Sequence, residues 1–129
     1  MANQFVVELK NEPGSLANLA EELAARGIDL RAIGGGGIGN SGHIIMTTAD
    51  DDAARKVLEE GGYTFIEGES ILTEVDDKPG GMARLSRQLA DAGVNIFGHL
   101  FLGRWGDRAM FAFVVDDPDK ARPILERKG

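Results

Sequence analysis

The sequence predicts an α+β protein in which one β-α-β-β-α-β unit is written twice. Three observations carry this: a gapless internal repeat, apolar runs that alternate between strand and helix spacing, and glycine punctuation at matching places in both halves. The segments VELKNEPGSLANLAEELAARGIDL and TEVDDKPGGMARLSRQLADAGVNI align at an offset of 66 residues. Glu8 matches Glu74, Pro13 Pro79, Gly14 Gly80, Leu19 Leu85, Leu23 Leu89 and Gly27 Gly93. Asp50-Asp51 aligns with Asp116-Asp117, after which one inserted residue moves the offset to 67 and residues 54–58 match 121–125. The repeats are assigned to residues 1–68 and 69–129.

Each element follows from local pattern. Residues 5–9 are a short apolar strand, and the Pro-Gly turn opens a helix with Leu16, Leu19 and Leu23 on one face. Met82, Leu85 and Leu89 repeat that face. Gly27 and Gly93 suit the left-handed residue that closes a helix. Strands follow at 30–33 and 96–102, then at 43–48 and 109–115. Asp-rich punctuation precedes second helices at 53–60 and 120–127, and residues 63–67 supply a fourth strand to the first repeat alone. Such an order favours an antiparallel sheet with both helices on one face, because each helix stripe and one sheet face then share a core. This is a ferredoxin-like sandwich, twice, the second lacking its last strand. The strand at 70–75 is left with an unpaired edge, which invites a two-fold partner and predicts a homo-oligomer, most simply a dimer.

The glycine-rich stretch at 34–42 satisfies G-x-G-x-x-G through Gly34, Gly36 and Gly39. A dinucleotide fingerprint must open a helix, whose N-terminus holds the phosphate; here the β-branched run at 43–48 follows instead. The stretch is read as the hairpin between strands two and three, aligned with residues 100–108. It is either a mobile hairpin tip or, at Gly34 to Gly36, a strand end without side chains where a neighbour or ligand approaches closely.

Composition removes several function classes. The formal net charge of −7 repels a phosphate backbone, so nucleic acid is not an expected partner. Phe111 and Phe113 read as core rather than as a base-stacking platform. No apolar run reaches membrane-spanning length and MANQFVVELK is not a signal peptide, so no membrane partner is expected and residence is expected to be cytoplasmic. Cysteine is absent, and His43 and His99 form no H-x-x-x-H pair, so no metal, cofactor or catalytic residue is assigned. Asp50 to Asp52 read as a solvated run favoured by a helix N-terminus, and Trp105 as an interface or loop-packing residue.

At N-E-P-G-S-L, Asn11 to Leu16, followed by G-I-D-L after the helix, the sequence resembles the ACT domain family; D-K-P-G-G-M with G-V-N-I resembles it again. The resemblance implies a non-enzymatic regulatory protein that binds a small molecule, commonly an amino acid, in a groove where two such domains sit side by side. It carries one ligand-binding role to Asn11 and Asp77, before the Pro-Gly turns, and another to Asp29 and Asn95, at the second strands. It further implies that Asn11 faces Asn95 whereas Asp77 faces Asp29, and that the second strands pair into one continuous sheet. An amide both donates and accepts, so the Asn11/Asn95 groove can read a zwitterion, with the helix start at Gly14, Ser15 and Leu16 favouring its carboxylate. Two ionised carboxylates, with Gly80 at the helix start, would repel one; otherwise Asp29 and Asp77 are simply solvated.

A regulator of this kind acts on a separate effector enzyme, because the sequence leaves no room for a catalytic domain. Two alternatives stand beside it. One is a structural dimerisation module. The other is an acylphosphatase-like enzyme, disfavoured because residues 10–14 contain no arginine for a phosphate cradle.

Overall fold

The computed structural model describes residues 3–126. The chain divides into two compact units, one ending at Gly68 and the other beginning at Glu69. In the first, the order is β1 (Gln4–Lys10), α1 (Ser15–Ala25), β2 (Leu30–Ile38), β3 (Ser41–Thr48), α2 (Asp51–Glu60) and β4 (Phe65–Gly68). Its antiparallel sheet runs β2-β3-β1-β4. The second contains β5 (Ile71–Asp76), α3 (Gly81–Asp91), β6 (Ile96–Trp105), β7 (Arg108–Val115) and α4 (Pro118–Leu125), with a sheet ordered β5-β7-β6. Both are α+β sandwiches of the expected ferredoxin-like type. Among the described residues β2 bonds to β3 at one edge of the first sheet, and β6 bonds to β7 at one edge of the second. Among the described residues the second unit has no fourth strand, and β5 is an edge. The helix end expected at Arg127 lies outside the described residues.

One face of each sheet meets the helices. Phe5, Val7, Ile44 and Met46 pack with Leu19, Leu23, Val57 and Leu58; in the second unit Ile71, Phe113 and Val115 pack with Leu89, Ala121 and Leu125. Burying each such large side chain contributes about 1.5–3 kcal/mol. Phe111 packs against the second core and Phe113 lies within it, as their alternation predicts. Leu16 departs from expectation. Unlike Leu19 and Leu23 it is 51% exposed, because it lies in the first turn of α1, beyond the edge of the core.

Glycine geometry fixes where each helix stops. Gly27 has φ 70° and Gly93 φ 76°. In α1 the Gly27 N–H donates to the Ala24 carbonyl and the Ile28 N–H to the Leu23 carbonyl; Gly93 and Val94 repeat this on Ala90 and Leu89. These are paired Schellman closures, with the apolar residue after each glycine packed into the core. The next strand therefore leaves in a set direction. Asp50 and Asp117 cap α2 and α4 by accepting from the Ala53 and Lys120 N–H groups.

The strand registers relocate the insertion between the repeats. Phe5 pairs with Met46 and Ile71 with Phe113. Phe5 to Ile71 is 71 − 5 = 66, whereas Met46 to Phe113 is 113 − 46 = 67, so the extra residue precedes β7. It is Leu102, where the β6–β7 register slips between Phe101 and Gly103. The alignment of Asp50-Asp51 with Asp116-Asp117 is thereby corrected, and the two helix caps, Asp50 and Asp117, become equivalent. The hairpin-tip reading of the glycines at 34–37 is corrected too, and the reading of Gly34 to Gly36 as a bare strand end holds: they are part of β2, and the hairpin is the tight turn of Gly39 and Asn40 between paired Ile38 and Ser41. Gly39 and Gly106, with φ 60° and 62°, occupy matching turn positions.

Arg55 on α2 ties the helix to β4 through two bonds to Glu67, 2.6 and 2.7 Å long, and a third to Asp52. Asn3 Nδ2 donates to the same Glu67 carboxylate. The Arg55 bonds hold the Glu67 pKa below its ordinary value, against partial burial that pushes it up. A depressed folded pKa stabilises the fold above the unfolded value of 4.5 and loses that contribution as pH falls through the folded value. Glu67→Gln is expected to cost roughly 1 kcal/mol at neutral pH, at the low end because water screens Arg55. Urea unfolding should show this difference shrinking as the solution is acidified below pH 4.5.

Candidate functional site

Side chains are missing from one strip of the first sheet. Paired residues on antiparallel strands share a face, so Ile33, Gly35 and Gly37 lie on the face of their partners Met46, Ile44 and Gly42, toward the helices. A strip without side chains beside the first turn of α1 leaves a groove of about 490 Å³. Ile44 and the glycines line it together with Leu16, Ile33, Ser15 and Asn11. Leu16 and Ile33 remain half exposed on its walls.

Asn11 is held in place from two directions. Its N–H donates to the Asn40 carbonyl at 3.1 Å and its Nδ2 to the Gly39 carbonyl at 2.9 Å, so the hairpin turn fixes both main chain and amide. Gly37 makes room for it: a Cβ there would lie 2.6 Å from Asn11 Cγ and Oδ1. With Nδ2 partly used, Oδ1 is left as an open acceptor. Beside it α1 begins at Gly14, φ 93°, without a side-chain cap; the Ser15 N–H turns back to the Glu12 carbonyl at 3.3 Å. Uncapped first-turn amides carry the partial positive charge of the helix end.

The second repeat fills the equivalent space itself. Allowing for the Leu102 bulge, Phe101 stands where Gly35 does and Arg104 where Gly37 does. The Phe101 ring meets Phe111, the counterpart of Ile44, at 5.5 Å between centroids and edge-on. The Arg104 guanidinium lies 4.7 Å above Phe101, and its Nε is 2.8 Å from Asp77 Oδ2. Gly81 replaces Ser15, and a Cβ there would lie 2.2 Å from the Asp76 carbonyl oxygen. No hydroxyl can stand at that point.

The expected site residues therefore divide. Asn11, Ser15 and Leu16 line one groove, with Gly14 at its helix start. Gly80 occupies the same place at the start of α3, with φ 91°. Asn95 and Asp29 precede β6 and β2 in matching backbone settings: the Asn95 carbonyl accepts from the Asp116 N–H and the Asp29 carbonyl from the Ala49 N–H. The Asn95 N–H also donates to Asp116 Oδ1 at 2.9 Å. Neither Asp29 nor Asp77 stands bare, since Asp29 pairs with Arg31 at 3.0 Å and Asp77 with Arg104 at 2.8 Å. Sequence reasoning offered Gly34 to Gly36 as a bare strand end open to a ligand, and passed over Gly37, Phe101 and Arg104 as site-forming positions. Reading the glycine run as a strand, with alternate residues on one face, would have found them.

No family model matches the sequence, and no curated protein matches it. Solved structures do. A protein of Bacteroides thetaiotaomicron is similar with a TM-score of 0.71 at 23% identity, over 97% of this chain and 86% of that one. The ligand-free regulatory subunit of aspartate kinase from Thermus thermophilus gives 0.62 at 21%, over 96% of this chain and 87% of that one. The corresponding subunit from Thermus flavus gives 0.62 at 19%, over 96% and 90%. The chain thus shares the fold of these structures over nearly its whole length.

Gly37→Ala is expected to push the Asn11 amide off Gly39 and cost roughly 0.5–1.5 kcal/mol, the net worth of a neutral hydrogen bond. Asn11→Ala removes the same bond. Urea midpoints of the two single variants and the double variant should be non-additive, with the pair costing less than the sum.

Proposed function

We propose that this chain is a non-catalytic sensor that binds a free amino acid in the groove of the first repeat and passes its ligand state to a separate protein. The observation that carries this reading is the Asn11 amide, fixed by the hairpin with Oδ1 open, beside the uncapped first turn of α1. An α-amino acid presents one group to each. Its ammonium donates to Asn11 Oδ1, and its carboxylate meets the Ser15 hydroxyl and the first-turn amides. The likeness to aspartate kinase regulatory subunits supports a regulator whose effector enzyme is a separate chain. Cytoplasmic residence belongs to the same proposal.

Asn95 enters the proposal as the second amide of the site, through the family resemblance. Calorimetry with the common amino acids should find one site per chain. Asn11→Ala and Asn95→Ala should each weaken binding by roughly 0.5–1.5 kcal/mol, and up to about 3 where the lost partner is a charged ligand group. Weakening by Asn11→Ala alone would confine the site to the first repeat. Failure of every amino acid to bind would overturn the reading.

We also infer a symmetric dimer joined through β5, which among the described residues bonds on one side only, to β7. Acidic side chains that would guard such an edge are neutralised within the unit: Glu74 and Asp76 by Arg108, and Glu69 by Arg122. An antiparallel pair of identical edges is compatible with two-fold symmetry. Light scattering should give twice the chain mass, and a monomer at high micromolar concentration would overturn the dimer.

A further inference from the structure

The two repeats offer the same groove in two conditions, open in the first and filled in the second. Where the first has Gly35 over Ile44, the second has the Phe101 ring against Phe111. Where the first has Gly37 beside Asn11, the second has the Arg104 guanidinium on Asp77. Met82, the counterpart of Leu16, is partly buried against the second core, whereas Leu16 is half exposed. The filler thus combines an apolar group on the sheet and a cation at the residue before the Pro-Gly turn, 4.7 Å apart.

We propose that Phe101 and Arg104 are a built-in occupant of the second groove, and that their arrangement marks the ligand class of the first: α-amino acids with a branched aliphatic or aromatic side chain. This rests on the amino-acid reading above and narrows it. The ligand side chain takes the place of the Phe101 ring, on Gly35 and Ile44 between Leu16 and Ile33. Its ammonium takes the place of the Arg104 guanidinium, at Asn11 Oδ1. An ammonium next to its own apolar side chain spans such a separation. The exchange of Asp77 for Asn11 fits this assignment, because a zwitterion's ammonium carries a carboxylate with it, and an amide acceptor does not repel that group as a second carboxylate does. Apolar walls discriminate by contact area. Glycine would leave Leu16 and Ile33 in water, and aspartate or lysine would bring a charge among them at a desolvation cost.

Calorimetry on the full chain should show leucine, isoleucine or phenylalanine binding at least about tenfold more tightly than glycine, aspartate or lysine, as expected where several methylenes are buried. Gly37→Arg should abolish that binding by placing in the first groove the residue that fills the second. Gly37 is exposed with no positive φ and its Cβ would displace the Asn11 side chain, so a cooperative unfolding transition with a midpoint no lower than that of Gly37→Ala would show that the fold survives. Phe101→Gly and Arg104→Gly combined with Asp77→Asn should open the second groove, restore an amide acceptor where the ion pair stood, and raise the stoichiometry from one to two. Preferential binding of polar amino acids would overturn the apolar selection and leave the amino-acid reading standing. Absence of binding by any amino acid would overturn both. A folded triple variant that still binds one ligand, or Gly37→Arg that binds normally, would overturn the built-in occupant; should the triple variant not fold, Gly37→Arg alone decides.

Discussion

A Cβ at Gly37 would come within 2.6 Å of the Asn11 side chain, and one at Gly35 within 2.3 Å of the His43 carbonyl oxygen. That steric limit keeps the helix-facing edge of β2 bare, and the groove exists because of it. The neighbouring elements would make the same sandwich with side chains in this strip, as the second repeat demonstrates. There Phe101 and Arg104 occupy it, and the helices, their glycine closures and the sheet order of the shared strands are unchanged. The fold therefore tolerates both conditions. What differs is whether the space next to the first helix turn is given to the protein or left to a ligand.

Divergence between the repeats is concentrated on the second strand and its hairpin. Cores are matched position by position, since Phe5, Met46 and Leu23 correspond to Ile71, Phe113 and Leu89. The extra residue is absorbed as a bulge at Leu102, on an edge strand, where one unpaired residue breaks the fewest ladder bonds. Its effect reaches further than its size. Adding one residue would turn every later side chain of the strand to the opposite face, and the bulge restores the alternation so that Arg104, three residues after Phe101, still lies on the helix side.

Electrostatics follow the same division. A net charge of −7 would suggest an acidic surface hostile to an anionic group, yet several carboxylates of the second repeat have an arginine within reach. Asp77 is matched by Arg104, Asp76 by Arg84 and Arg108, and Glu69 by Arg122. The pairs are exposed or half-buried, and pairs so open to water contribute little to stability. Their consequence is local: the second repeat answers its own charges, whereas in the first an uncharged Asn11 sits beside a helix start that no side chain caps.

By itself the sequence determined the duplication, the type and order of the elements, and the core faces. These follow from spacing: Leu19 and Leu23 lie one helical turn apart, Phe111 and Phe113 alternate on a strand, and Gly27 and Gly93 are the only residue type without penalty at a left-handed helix end. It also marked Asn11, Ser15 and Leu16 at one turn, because a motif is local. The glycines at 34–37 left it two readings, hairpin tip or bare strand end, since glycine has no side-chain periodicity and its usual place is a turn; hydrogen bonding to the full length of β3 makes that run a strand. The position of the inserted residue was equally hidden, because Asp50-Asp51 and Asp116-Asp117 align well by identity while the backbone pairs by register. The tertiary structure alone decided that Gly35 and Gly37 look toward α1 and that Arg104 reaches Asp77. Contact across a groove depends on which face of a strand a side chain leaves, and one bulge far along the chain from Asp77 sets that face.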